Sequence, residues 1–277
     1  MRALFFARKR IIGLLLLVLL FLSQIPFETK HSLKQSFAVF GFKLLGYNVY
    51  NYREVTVLSK SPLPRRFLPG ANDLFLKEKK YFSYQGKSRV VIVLTSNLNS
   101  NSFLALPSQG YYWEGVIYLT NDLESPALAH EISHLLIDIK TGGKLSRYLH
   151  EGLAQWAEVA FGGVPAFWGS EVDVFSSIAA LEKNLDDKEN QYAAYRQSYY
   201  FVKFLEAKKG KEGILRFLEE TKRSGKEKAF MKVYGQREEE IFSKFLKWYQ
   251  KFKSGALAPL FKWLLLPRKL LLSNRCK

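Results

Sequence analysis

Cysteine is all but missing from this 277-residue chain: the single one, Cys276, stands one residue from the end. No disulfide can form within the chain and no cage of thiolates can hold a metal, so the fold rests on packing. No internal repeat is evident, which sets aside fibrous architectures. Histidine is scarce, with four in all, and no charged side chain occurs between Arg10 and Glu28. What is present suffices for a core. At 48% hydrophobic and 24% charged residues the chain suits one large domain or two small ones and excludes a disordered tail.

Acidic residues are outnumbered, 25 against 42 basic ones, for a net charge of +17. The excess sits at the ends. Residues 1–30 carry five basic side chains and one acidic, +4; residues 251–277 carry seven basic and none acidic, +7. The 220 residues between hold the remaining +6, an ordinary mildly basic region. A nucleic-acid reader carries its charge as a patch on the folded domain, so the sequence predicts no nucleic-acid partner.

The basic ends flank apolar runs instead. After Arg8, Lys9 and Arg10 come residues 11–22, all apolar, within an uncharged stretch of 17 residues. That length is at the lower edge of what spans a bilayer, about 17 to 25 residues. Small residues that would suit a signal cleavage site are lacking around Ser23. The sequence therefore predicts an uncleaved membrane anchor with the domain on the extracytoplasmic side, a secreted form being the alternative. Residues 256–272 mix leucines and Trp263 with Lys262, Arg268 and Lys269, a composition suited to an interfacial segment on anionic lipid or to a last packed helix.

Residues 46–58, 89–95 and 115–119 read as strands. Pro, Gly, Asn and Ser punctuate 61–72 and 96–110. From Ser125-Pro126, a suitable cap and first helical position, helical periodicity takes over at 126–140, 147–160, 172–183, 190–208, 211–222 and 236–252. Strands first and helices after predict an α+β fold, a small sheet covered by helices. The expected divisions are 1–30 as anchor, 31–161 as sheet and active-site helices, 162–254 as a helical subdomain and 255–277 as a basic apolar tail.

Three of the four histidines fall within 21 residues: His130, His134 and His150. The first two form His130-Glu131-Ile132-Ser133-His134. Positions i and i+4 of a helix share a face about 6 Å apart along the axis, so both imidazoles can converge on one metal. Glu131 is turned about 100° away, where the base for a water activated by zinc belongs. Composition alone gives about 0.004 such matches in a chain of this kind. A catalytic zinc needs a third ligand and an open position. If one helix ends at Thr141-Gly142-Gly143 and the next starts near Arg147, an antiparallel hairpin brings Glu151 level with the two histidines. Asp138 lies a turn beyond them, in a supporting place rather than a ligating one. His150 points about 100° away from Glu151, as a satisfied or substrate-facing histidine.

The pair HEISH and LHEGLAQW, at residues 130–134 and 149–156, resembles the gluzincin zinc metallopeptidases, the class of thermolysin and the M1-type aminopeptidases. It is most similar to the bacterial proteins of the peptidase MA family, whose second motif reads EGxA. The resemblance covers about residues 46–250. It implies a zincin-like fold, a small mixed sheet with an edge strand over the active-site helix, and Zn2+ held by His130, His134 and Glu151. It also implies that Gly152 and Ala154 keep the second helix close to the first. Tyr195-Arg196-Gln197-Ser198 is similar to the tyrosine segment of the M1 class, with Gln197 and Ser198 in place of its lysine and glycine. That makes Tyr195 the candidate oxyanion donor, with Tyr199 and Tyr192 as alternates. Residues 115–119 resemble the edge strand on which such enzymes lay a peptide, and the segment that anchors a free amino terminus is missing. The function implied is hydrolysis of a peptide or protein substrate; the rival is a non-hydrolytic zinc-containing envelope protein that binds a peptide or lipid.

Overall fold

The computed structural model describes residues 27–95, 110–120, 127–161 and 174–253. They form a mixed α+β fold with eight helices and one five-stranded sheet. Helix α1 (Phe27–Leu44) leads into the antiparallel hairpin of β1 (Asn48–Tyr52) and β2 (Val55–Ser59), then α2 (Phe67–Tyr81) and β3 (Val90–Thr95). A second antiparallel hairpin, β4 (Gly110–Trp113) and β5 (Val116–Thr120), completes the sheet in the order β1-β2-β3-β5-β4. The inner pairings β2-β3 and β3-β5 are parallel.

Both faces of the inner strands are apolar because both are covered. Val90, Ile92 and Leu94 of β3, with Ile117 and Leu119 of β5, join the main core. Val91, Val93 and Val116 turn the other way, onto Ala38, Val39 and Phe42 of α1. On the main-core side lies α3 (Ala127–Thr141), with twelve of its fifteen residues buried, so it is the central helix of the molecule. It is followed by α4 (Arg147–Ala160), α5 (Ile178–Asn184), the long α6 (Gln191–Ser224) kinked at Gly210, α7 (Lys226–Tyr234) and α8 (Glu238–Lys253). The turn joining α3 to α4 uses Gly142 and Gly143 at φ of 66° and 69°, a left-handed pair that glycine adopts without strain.

Several expectations are corrected. The region 46–58 is two strands, not one, divided where Arg53 takes a φ of 49°. Residues 67–72, read as punctuation, begin α2: Pro69 falls in its first turn, where backbone N–H groups have no partner within the helix, so the ring removes nothing. Residues 115–119 do not form an edge: β5 is an inner strand, and the edge is β4, reached through a tight turn with Glu114 and Gly115 both at positive φ. The expectation of a single-pass membrane protein with an extracytoplasmic domain is also corrected, since no helix among the described residues is long and apolar enough to cross a membrane. Phe27 to Lys30 start α1, a helix that carries Glu28, Lys30, Lys34 and Lys43 and buries the polar His31 and Gln35. The apolar run at 11–22, the cap at Ser125-Pro126 and the tail at 255–277 lie outside the described residues.

Candidate metal centre

Helix α3 presents His130 and His134 one turn apart, and α4 returns antiparallel to place Glu151 beside them. The two Nε2 atoms are 3.0 Å apart, and Glu151 Oε2 lies 3.3 Å from each. A tetrahedron with bonds of about 2.05 Å has edges of about 3.3 Å, so these three atoms have the spacing of one face of a zinc site. They form the only such group among the described residues.

Two hydrogen bonds orient the imidazoles from behind. His130 Nδ1 lies 3.1 Å from Glu158 Oε2, two turns along α4 from Glu151. His134 Nδ1 lies 2.6 Å from His150 Nδ1, whose Nε2 lies 3.0 Å from Asp138 Oδ1; Asp138 Oδ2 accepts a 2.8 Å bond from the Tyr112 hydroxyl. Asp138 and His150 thus stand behind the three candidate ligands, not among them. Tyr112 belongs to β4, and its backbone N–H also holds the Glu131 carboxylate. Gly110 on the same strand leaves room for that carboxylate: a Cβ there would stand 3.1 Å from Glu131 Cγ.

Glu131 is 5% exposed, and its Oε2 has no partner. A buried carboxylate oxygen left unpaired is costly, which fits a site completed by a cation and a solvent ligand. Burial, reinforced by Glu151 and Glu158 and opposed by His130, pushes Glu131 up to about 8. Burial is also the largest influence on the ligands. It draws His134 down to about 4 against the pull of Glu151. In His130 the hydrogen bonds with Glu151 and Glu158 overcome burial and carry it well above the ordinary range. In Glu151 the two histidines overcome burial and hold the carboxyl well below its ordinary value. At neutral pH the metal-free cluster therefore has a charged His130, a neutral His134, an ionised Glu151 and a largely protonated Glu131.

This charge state has a thermodynamic consequence. A dication must displace the His130 proton, and its field draws the Glu131 proton off as well. Zinc uptake at pH 7 is expected to release between one and two protons, measurable by calorimetry in buffers of different ionisation enthalpy. Affinity should fall as pH drops, by about tenfold per unit for each proton displaced. Uptake without proton release would show that neither His130 nor Glu131 holds the extra proton in the metal-free fold.

Tyr195 of α6 lies near the same centre. It is within the field of Glu151 and Glu131 and hydrogen-bonded to Arg147, and burial keeps its phenol protonated far above the usual range. Arg147 is tied in turn to Asp186 at 2.6 Å. The alternates lie elsewhere: Tyr199 packs edge-on against Tyr200, and Tyr192 is 48% exposed. Gln197 clamps the backbone of Phe175 through two 2.8 Å bonds, so the position next but one to Tyr195 serves packing. Gly152 departs from the expected contact, because it faces α6 and not α3: a Cβ there would stand 2.4 Å from the Ser198 carbonyl oxygen. Sequence reasoning missed Tyr112 and Glu158. The Glu-Gly turn between aromatic and aliphatic runs could have revealed the first. For Glu158, its place seven residues after Glu151, on the same helix face, was the available signal. No family model matches the chain, and no curated protein matches it.

Proposed function

We propose that the chain is a zinc-dependent peptidase of the gluzincin type, with zinc on His130, His134 and Glu151, β4 as the edge strand of a zincin-like sheet, and a peptide or protein as substrate. The observation that carries this reading is the convergence of three ligand atoms within 3.3 Å beside a buried, unpaired Glu131 oxygen. When bound, zinc supplies Lewis acidity, polarising a peptide carbonyl and acidifying a water. Glu131 takes the proton from the attacking water and passes it to the departing amine as the C–N bond breaks. A base poised near neutrality is suited to both transfers. Tyr195, kept protonated by burial and oriented by its hydrogen bond with Arg147, donates its hydroxyl to the carbonyl oxygen as negative charge builds there. Glu158 fixes His130 with its Nε2 lone pair toward the metal.

The test uses the full chain, since α1 starts at Phe27 and covers one face of the sheet. One zinc per chain is expected, with cleavage of an unfolded protein and of a mixed peptide library that chelation abolishes and zinc restores. Protein that takes up no metal overturns the reading. Stoichiometric zinc with no cleavage of either substrate overturns the peptidase and leaves a zinc-containing binding protein.

A further inference from the structure

We infer that His150 is a positioning residue for the metal centre: backed by Asp138 and Tyr112, it selects the ring form of His134 that can bind a metal. The inference rests on the metal site proposed above but not on peptide hydrolysis.

A neutral imidazole has one N–H and one lone pair, and for His134 to ligate through Nε2 its proton must sit on Nδ1. Nδ1 faces His150 Nδ1 at 2.6 Å, so that atom has to accept. His150 can accept there only if its own proton is on Nε2, which faces Asp138 Oδ1 at 3.0 Å. A carboxylate can only accept, and the other oxygen of Asp138 is taken by the Tyr112 hydroxyl at 2.8 Å. Asp138 therefore draws the His150 proton outward, and the protons along the train have one arrangement, the one that leaves His134 Nε2 free. Without His150 the Nδ1 of His134 loses its partner, and the proton can move to Nε2, where it blocks ligation. The two rings are nearly coplanar, 12° apart with their centroids 4.7 Å from one another, so the ring plane of His134 is fixed together with its tautomer.

The experiment compares zinc dissociation constants, from competition with a chromophoric chelator, and the Co2+ absorption spectrum in wild type, His150→Leu and His150→Gln. An amide has an oxygen to accept from His134 and an N–H to give to Asp138; leucine has neither. Leucine is expected to weaken zinc binding by about 10- to 100-fold and to alter the Co2+ spectrum, with glutamine recovering most of both. Melting of the metal-free proteins reports folding. If the leucine variant is itself unstable, Tyr112→Phe, which removes one hydroxyl and keeps the ring, should still weaken zinc binding severalfold. Wild-type affinity in His150→Leu overturns the inference, and so does an equal loss in both His150 variants, which would trace to packing. Wild type that takes up no metal overturns the underlying site as well.

Discussion

Glu131→Gln is expected to lower turnover by about 10²- to 10⁴-fold while zinc content stays at the wild-type level. The substitution keeps the shape of the side chain and an oxygen for the Tyr112 backbone N–H, and it removes only the capacity to take a proton. Glu131 is not one of the three residues whose ligand atoms meet at the centre, so at saturating metal the zinc content is expected to hold. The metal-free protein offers a second readout of opposite sign. Burial holds the folded Glu131 protonated up to about 8, whereas an unfolded glutamate ionises near 4.5. Between those values the unfolded state sheds a proton that the folded state keeps, so wild type loses stability as pH rises, by up to about 1.4 kcal/mol per unit. Metal-free Glu131→Gln should therefore unfold at higher denaturant than wild type at pH 7 to 8, with the difference fading below about pH 4.5. Loss of turnover together with loss of zinc would make Glu131 a ligand and remove the base from the mechanism. Equal stability at both ends of the pH range would mean that the carboxyl is not held protonated in the fold.

The cluster of His130, His134 and Glu151 was legible because the chemistry of a metal site would fix such a spacing. Two imidazoles on one helix can share a metal at few separations, and the helix ends at Thr141 and Arg147 were marked by Gly142-Gly143, so the height of Glu151 followed from the rise per residue. The α+β class was legible for a similar local reason, the change of period after residue 125. What lay hidden depends on contacts between elements. His150 could be placed as turned away from Glu151, but not against His134, because that contact forms only when α4 packs back on α3. Tyr112 serves the site from an edge strand whose sequence, GYYW, is too short to stand out, and the turn that makes it an edge is a single Glu-Gly pair. Helix α1 escaped notice because its covered face includes His31 and Gln35, polar residues that bind Tyr112 and the backbone at Arg89 and Gly115. Gln35 donates to both carbonyls at 2.9 Å, so a polar side chain does the docking that periodicity assigns to apolar ones.

Gly152→Ala should damage the metal centre from the far side of α4. The added methyl would stand 2.4 Å from the Ser198 carbonyl oxygen, 2.6 Å from its carbon and 3.0 Å from Val202 Cγ2. The first two are backbone atoms of a buried stretch of α6 and cannot swing aside, so the helices must separate. Forcing an extra carbon into a packed interior costs about 1 to 3 kcal/mol. Glu151 precedes Gly152 on the same turn, and any shift of α4 carries its carboxylate relative to His130 and His134 on α3. A displacement of about 1 Å at a ligand set fixed to tenths of an ångström is expected to weaken zinc binding by tenfold or more, with turnover falling alongside it. The same change at Gly70 provides the comparison. A Cβ at that position of α2 meets nothing within 4 Å, and its backbone is helical, so Gly70→Ala should stabilise by about 0.4 to 1 kcal/mol and leave zinc affinity untouched. Denaturant unfolding of the metal-free proteins and chelator competition measure both quantities. If Gly152→Ala matched Gly70→Ala in stability and in zinc affinity, the close approach of α4 to α6 would not be what sets the position of Glu151.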